Sequence, residues 1–481
     1  MAASTSYETF IGLEIHIQLL TETKIFCGCK SKFGDKPNSN VCPVCLGYPG
    51  VLPALNEHAV ELSYKVCRAM NCDLAKEGMF ERKNYFYPDL TKNYQISQFE
   101  KPFGRNGYFE YESGGGIKRI RFHEIHLEED AGKMIHQGGR SFCDYNRAGT
   151  CLLEIVTEPE FKEPQEAEDF LQAFRRTVRH LGVCDGNMEE GSLRCDANIS
   201  INTPGAGLGV KTEVKNLNSS RFVKKALQYE RRRQEKVLKS GGKIIQETRL
   251  WDEDKSVTES MRTKEEAHDY RYFPEPDLPP FRPDQAFFDM IEKSQIELPL
   301  ARKQRLTEDY GLTPDQADYI VEEKAAADYF EAVVALGADA KTAAKWIMGN
   351  VAKELNRIDL SKADLGTEKC ALSAERLTKL LGMLADNKIH GKIAAQTLAA
   401  IFNEDKDPEV IVKEQGWDSS ADEGDLEKIV QQILDENPRV VEQIRGGDQK
   451  PRGFVVGKVM KATQGTANPQ SVQSIIGKLI G

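Results

Sequence analysis

Four cysteines stand first among the residues that could do chemistry. Cys27-Gly28-Cys29 and Cys42-Pro43-Val44-Cys45 form a C-x-C and a C-x-x-C pair with twelve residues between them. Two such pairs on tight turns can bring four thiolates to one tetrahedral metal. A zinc ion with four protein ligands is closed to substrate, so the site would be structural. Gly28, Gly47 and Gly50 would ease the turns. Four free thiols in a reducing compartment are the plainer alternative. The other seven cysteines are scattered and read as core residues.

A second constellation is carboxylic. Glu14 and His16 are two apart in an alternating segment, so both face one side of a strand with Cβ atoms roughly 7 Å apart. Asp196 and Glu213 hold polar positions of two further alternating segments, and Glu154 interrupts the apolar run Leu152-Leu153-Glu154-Ile155-Val156. Residues 122–133 read Phe-His-Glu-Ile-His-Leu-Glu-Glu-Asp-Ala-Gly-Lys, dense in possible ligands. Acids gathered in one place repel unless a divalent cation or protons neutralise them. Oxygen-rich sites with one His suit Mg²⁺ or Mn²⁺ and the phosphates they carry. From the pattern alone the same residues also read as solvent-facing strand positions. His58, His180 and His390 are read as structural.

Absent motifs narrow the chemistry further. The chain has no G-x-x-x-x-G-K-[ST] loop, and Gly453-Phe454-Val455-Val456-Gly457-Lys458-Val459 fails the spacing. It has no G-x-S-x-G elbow. If ATP is used, a metal and basic side chains on a sheet must hold it. The candidates are Arg82, Lys83, Lys133, Arg147, Arg194, Lys211 and Lys215, each otherwise an ordinary solvated charge.

The elements that would position these residues follow from periodicity. Ile11, Leu13, Ile15, Ile17 and Leu19 alternate with Gly12, Glu14, His16 and Gln18. Leu193 to Ser200 and Val210 to Lys215 repeat the pattern. One-faced alternation suits antiparallel strands. Pro164, then Ala167, Phe170, Leu171, Phe174, Val178 and Leu181, with Gly182 after them, predict a helix. A second helix is expected over 219–239, closed by Gly241 and Gly242. Together these give an α+β domain.

The stretch 274–283, containing PEPDLPP, reads as a linker or extended segment. Helices follow it. Thr313-Pro314-Asp315-Gln316 is a capping-box start. Ala-rich helical stretches are expected over 325–336 and 371–402. An acidic, looser stretch at 403–423 suggests a boundary before a small helical module of about 60 residues.

The chain has 481 residues, with 65 Lys and Arg against 75 Asp and Glu, a formal charge of −10. That length suggests about three domains. The balance argues against a generic nucleic-acid binder but leaves room for a basic patch. Residues 449–481 supply one, holding Lys450, Arg452, Lys458, Lys461 and Lys478 with no acid. No run approaches the roughly 18 apolar residues of a membrane span. The polar start, residues 1–6, lacks signal-peptide features, so a cytoplasmic location is expected.

Longer motifs resemble a known family. Ile11-Gly12-Leu13-Glu14-Ile15-His16, Arg82-Lys83-Asn84-Tyr85-Phe86-Tyr87-Pro88-Asp89 and Leu127-Glu128-Glu129-Asp130-Ala131-Gly132-Lys133 are similar to segments of the B subunits of bacterial aspartyl/glutamyl-tRNA amidotransferases, GatB. So are Glu189 to Asn198, Lys215-Asn216-Leu217-Asn218-Ser219, Asp269 to Asp277, and the closing Gly465-Thr466-Ala467-Asn468-Pro469. The resemblance runs nearly end to end.

That resemblance implies a ligase forming carbon–nitrogen bonds with glutamine as amido donor. ATP phosphorylates the side-chain carboxylate of Glu on tRNA(Gln) or Asp on tRNA(Asn), and ammonia then displaces phosphate. It implies a catalytic cradle with an antiparallel, glutamine-synthetase-like sheet over 1–293, containing the four-cysteine zinc knuckle at 27–45. An all-α domain over 294–405 and a small all-α tail over 406–481 follow. The implied Mg²⁺ and catalytic residues are Glu14, His16, Glu129, Asp196 and Glu213, with Glu154 as a further metal ligand. Lys83, Lys133, Arg147, Arg194 and Lys211 would contact ATP phosphates. Lys458 and Lys461, one helical turn apart, would contact tRNA. Zinc would be a structural staple. Ammonia would come from an amidase-type A subunit, with a small C subunit completing a heterotrimer. The competing expectation is a non-catalytic tRNA-binding scaffold.

Overall fold

The computed structural model describes residues 7–263, 269–417, 423–463 and 467–480. The polar start at 1–6, part of the acidic stretch (418–422) and Gly465-Thr466 of the closing motif lie outside the described residues. The chain divides into two compact units, Met1–Leu300 and Ala301–Gly481.

In chain order the strands are β1 (Glu8–Gln18), β2 (Asp73–Leu74), β3 (Glu81–Asn84), β4 (Tyr94–Ser97), β5 (Gly104–Arg105), β6 (Tyr108–Ser113), β7 (Gly116–Glu129), β8 (Lys133–Gln137), β9 (Arg140–Asp144), β10 (Cys151–Thr157), β11 (Leu193–Asn202), β12 (Thr212–Lys215), β13 (Glu247–Asp252), β14 (Val257–Thr263) and β15 (Phe273–Pro274). One ten-stranded sheet dominates, in the order β14-β13-β12-β11-β1-β10-β7-β5-β2, with β6 paired to β7. Smaller sheets join β15, β3 and β4, and β8 with β9.

The sheet is mixed, which corrects the antiparallel expectation. β12 and β13 run parallel, Thr212 opposite Glu247 and Lys215 opposite Leu250. Parallel neighbours need a crossover, and α3 (Ser220–Lys239) supplies it. Alternation reports which face a residue occupies but not the direction of the next strand.

Helices cover one face of this sheet. Besides α3 they are α1 (Glu57–Ala69) and α2 (Pro164–His180), which pack against β7 and β1 respectively, while α3 packs on β11. α2 begins as its sequence predicts. Pro164 opens it, and the Glu166 carboxylate accepts from the backbone N–H of Lys162 and Glu163. It ends at Gly182, whose φ of +68° a side chain would resist. Ile11, Leu13, Ile15 and Ile17 of β1 are fully buried in this core with Phe170 and Phe174 of α2. The alternate residues of β1 therefore face the other side, where the polar site lies.

α4 (Gln285–Lys293) rests against α1, where Arg68 forms a two-point ion pair with Glu292. Ile296 and Leu298 also pack on the first core, so the packing extends past the boundary expected at 293. The second unit is helical throughout its described residues, from α5 (Pro299–Tyr310) to α16 (Pro469–Ile480). It holds two apolar clusters. One includes Ile411 and Val412 of α12 (Pro408–Glu414), which the sequence division at 405 assigns to the tail. The other gathers Leu426, Val430, Val455, Val459, Val472 and Ile476. No described helix is long and apolar enough to cross a membrane.

Candidate functional site: a polar stripe across five strands

Register places the acids. Glu14 on β1 is opposite Asp196 on β11, and His16 is opposite Glu154 on β10. Glu154 is in turn opposite His126 on β7, and Asn198 on β11 is opposite Glu213 on β12. Directly opposed residues share a face, so one polar stripe crosses β12, β11, β1, β10 and β7. It lies on the face away from α2 and α3.

Two groups form along the stripe. In the first, His126 Nε2 lies 3.0 Å from Glu154 Oε2, and His16 Nε2 lies 3.5 Å from the same oxygen. Glu128 Oε1 is 3.8 Å from His16 Nε2. His16, Glu128 and Glu154 each offer one donor atom, all within 4.8 Å of one another. One imidazole nitrogen with two carboxylate oxygens fits a divalent cation that keeps water or phosphate oxygens as its remaining ligands. In the second group, Lys215 Nζ sits 2.5 Å from Asp196 Oδ2 and 3.0 Å from Glu213 Oε1. Asn198 Nδ2 donates to Glu14 Oε1 at 2.8 Å.

Burial and charge set the protonation states. Burial works against ionised Glu154, but His16 and His126 hold its carboxyl well below the ordinary value. Burial likewise disfavours the His126 cation, yet Glu154 and Glu128 lift its pKa to about 10. His16 is raised by Glu154 and Glu128 against the same burial penalty. Glu14 is raised by burial and by repulsion from Glu154. The carboxylates of this group therefore favour the protonated form of both imidazoles.

The expected phosphate contacts separate into three kinds. Lys83 is half-buried on β3, 5.1 Å from the Tyr270 ring; burial opposes its charge, and Glu128 and Glu154 raise its pKa above the ordinary value. Arg194 is opposite His16 and holds Asp130 at 2.7 Å, with Arg147 at 3.5 Å from the same carboxylate. Arg147 also donates to the carbonyls of Ala131 and Gly132. These three cations adjoin the stripe or its rim. Lys133 begins β8 and Lys211 precedes β12; both are exposed, and neither joins the cluster. Arg82 is committed to Glu275 through two hydrogen bonds of 2.7 and 2.8 Å. Lys215 is the cation of β12 that does reach the acids. Arg194 Nε and Asn198 Oδ1 are buried with no partner among the described residues. An orphan donor and an orphan acceptor at this surface suit an anion and a hydrated cation.

Glu129 departs from the expected ligand set. Its carboxylate binds Lys92 Nζ at 2.6 Å and accepts from the Ile96 N–H at 2.9 Å. The neighbouring Glu128 holds the position on the stripe, with Ser97 Oγ donating to it at 3.1 Å. Parity explains this. Counting by two from His126 selects Glu124 and Glu128, whereas Glu129 shares its parity with the core-facing Ile125 and Leu127. His126 was visible in the same run, and the signal was the same count.

The four cysteines also converge. Cys27, Cys29, Cys42 and Cys45 present sulfurs within 4.8 Å of one another, and Cys42 Sγ and Cys45 Sγ are 3.9 Å apart. Tetrahedral zinc with bonds of about 2.3 Å separates its sulfurs by about 3.8 Å, so the cluster fits zinc. A hydrogen bond from Cys27 chiefly lowers the Cys45 pKa to about 4, with the Cys42 N–H and Lys24 helping. Lys24 is itself buried, its Nζ 3.5 Å from Cys45 Sγ and 3.2 Å from the Tyr145 carbonyl. Gly47 makes the knuckle possible: its φ is +68°, and a Cβ there would meet Lys92 Cγ at 2.7 Å.

In the tail, Lys458 and Lys461 lie exposed on α15 (Lys450–Ala462). Lys458 Nζ donates to Asn437 Oδ1 at 3.2 Å and lies 5.1 Å from the Phe454 ring.

These features describe an α+β protein with acids, imidazoles and cations gathered on an open sheet face, joined to an all-helical region. Residues 9–289 match the family of the GatB/GatE catalytic domain, and residues 328–480 match the GatB domain. The chain is 48% identical over 476 residues to the B subunit of the aspartyl/glutamyl-tRNA(Asn/Gln) amidotransferase of Carboxydothermus hydrogenoformans, covering 98% of each chain. It is 48% identical to the protein of the same name from Thermodesulfovibrio yellowstonii and 47% identical to that of Geobacter sulfurreducens, with coverage of 98% of this chain and 99% of each relative. The chain belongs to the GatB family of amidotransferase B subunits.

Proposed function

We propose that this chain is the B subunit of a tRNA-dependent amidotransferase. It converts Glu-tRNA(Gln), Asp-tRNA(Asn) or both to the amides, working with an amidase-type A subunit that supplies ammonia and a small C subunit. Membership of the family and full-length similarity to curated B subunits support the catalytic reading over a scaffold. The observation that carries the site is the register that sets Glu213, Asp196, Glu14, His16, Glu154 and Glu128 on one sheet face.

The chemistry follows from charge. A carboxylate is a poor acyl donor, and its phosphorylation creates a leaving group that ammonia can displace. Bringing ATP to a carboxylate sets two anions together. His16, Glu128 and Glu154 would hold a Mg²⁺ ion, and Glu14, Asp196 and Glu213 would serve the same bound nucleotide. Bound Mg²⁺ supplies charge neutralisation at the phosphate oxygens. Lys83, Arg194 and Lys215 orient phosphate oxygens and the substrate carboxylate from the sheet surface. Arg147 steadies Asp130, which fixes Arg194. No covalent enzyme nucleophile is required, so rate comes from positioning and electrostatics. An open mixed sheet bearing acids on one face supports the glutamine-synthetase-like cradle reading. The zinc knuckle staples the 27–45 loop and takes no part in the reaction. Lys458 and Lys461 of the tail contact tRNA phosphates.

The test is conversion of radiolabelled Glu-tRNA and Asp-tRNA by the chain with its co-expressed partners, using ammonium chloride with and without ATP. ATP-dependent amide formation from free ammonium is expected. Intact tRNA binding with no conversion of either substrate would overturn the catalytic reading in favour of a scaffold.

A further inference from the structure

Helix α3 carries eight cations in twenty residues of an otherwise acidic chain. Four of them are committed to carboxylates: Lys224 to Glu168, Arg231 to Glu163, Arg233 to Glu230 and Lys239 to Glu235. The other four, Arg221, Lys225, Arg232 and Lys236, have no carboxylate partner among the described residues. Their spacing is i, i+4, i+11, i+15. At 100° per residue that places all four within an arc of about 60°, in a line about 22 Å long. Arg221, Arg232 and Lys236 are exposed or half-buried at the surface, and Lys225 is half-buried beside them.

A groove of about 590 Å³ runs beside this line, walled by Lys225, Gln228, Tyr229, Arg232 and Lys236 of α3 and by Trp251 of β13. Trp251 is 2% exposed, and its indole N–H is buried with no acceptor among the described residues. A buried donor left unpaired costs about 1–3 kcal/mol, so an acceptor brought by a ligand would be favoured there. The groove thus combines cations that no carboxylate neutralises, an orphan donor and an aromatic wall. That is the chemistry that takes phosphate oxygens. The line of charge is longer than the phosphate chain of one nucleotide, which selects a polymer. Along the sheet the groove lies beside β12, which carries Glu213 and Lys215 on its opposite face, and Asn216 Nδ2 donates to the Trp251 carbonyl at 3.0 Å.

We propose that the outer stripe of α3, with the groove it shares with β13, is a docking surface for an RNA sugar-phosphate backbone, and that this RNA is the body of the charged tRNA. The assignment of the RNA rests on the function proposed above. It places an electrostatic contact on the first unit, separate from the basic tail and on the helix-covered side of the sheet.

The test uses the full complex and a variant carrying Arg221→Gln, Lys225→Gln, Arg232→Gln and Lys236→Gln. Binding of charged tRNA is followed by anisotropy over a salt series. The expected result is a loss of affinity of at least about tenfold at moderate salt, with the log–log salt slope reduced by about 3, since each phosphate contact contributes about 0.7–0.9. Amidation at saturating tRNA should be preserved. A second variant, Arg221→Lys, Lys225→Arg, Arg232→Lys and Lys236→Arg, should keep affinity within about threefold, because a backbone is read as charge. Unchanged affinity and slope in the Gln variant, with normal binding by the unmodified complex, would overturn this surface and leave the proposed function standing. Loss of the A or C subunit from the Gln variant, with tRNA binding unaltered, would overturn it in favour of a protein interface. An unmodified complex that binds no charged tRNA would overturn the proposed function itself.

Discussion

Glu128 and Glu129 are adjacent in the chain and serve different surroundings. Glu128 lies 3.8 Å from His16 Nε2 on the polar stripe, while Glu129 is closed off by Lys92 at 2.6 Å and the Ile96 N–H. Glu128→Gln is therefore expected to weaken Mg²⁺ binding at least about tenfold by calorimetry and to slow amidation about a hundredfold or more. Glu129→Gln should leave the Mg²⁺ affinity within about twofold and instead lower stability by about 1–3 kcal/mol, because half-buried Lys92 loses its partner. Equal loss of Mg²⁺ in the two variants would return Glu129 to the ligand set.

The imidazole of His126 offers a pH signature. Its folded pKa of about 10 exceeds the ordinary 6.5, so the pairing with Glu154 and Glu128 stabilises the fold most below about 6.5. The contribution is lost as pH rises through about 10. In chelator-treated protein, NMR of the ring should show the charged form up to at least pH 8. A ring neutral at pH 7.5 would contradict the arrangement.

Asp130 carries the opposite sign. Burial would raise its pKa, but Arg194 and Arg147 hold it below 3.8. Its contribution is present above about 3.8 and disappears as pH falls through the lower folded value. Asp130→Asn should cost about 3 kcal/mol in urea unfolding at pH 7, with the gap to the parent chain shrinking in strong acid. A gap independent of pH would remove the ion pair as its cause.

The knuckle predicts about one zinc per chain by elemental analysis. Cys42→Ser should lose that zinc and lower the melting temperature, while ATP binding by the remaining folded protein is unchanged. Full zinc content in this variant would show that the thiols do not hold the metal.

Replacing Lys458 and Lys461 with Gln should lower tRNA affinity and reduce the salt slope by about 1–2, uniformly across tRNA sequences. An unaltered slope would leave both as solvated charges.

How much of this was legible in the sequence depends on range. Ile11, Leu13, Ile15 and Ile17 announced β1, and the same alternation put Glu14 and His16 on one face. Local signals also gave α2 its start at Pro164 and its stop at Gly182. Which strands adjoin was not local information. Glu14 meets Asp196 across 182 positions, and nothing near either residue specifies the pairing. Motif resemblance bridged that distance and named Glu154 and Glu129; the fold sets Glu154 on the stripe, and strand parity sets Glu128 there beside it. Lys211 lies outside the cluster for a related reason. It precedes β12, whereas Lys215, on the strand itself, has the reach to Asp196 and Glu213.

The pairing order of the sheet also bears on how the chain is born. β1 emerges first from the ribosome, yet its neighbours β10 and β11 follow about 140 and 180 residues later. At typical synthesis rates β1 waits roughly 7 to 30 s for its first partner. During that interval its apolar row, Ile11 to Ile17, has both edges unpaired. Such a segment can pair with other chains until β10 and β11 arrive to cover its two edges.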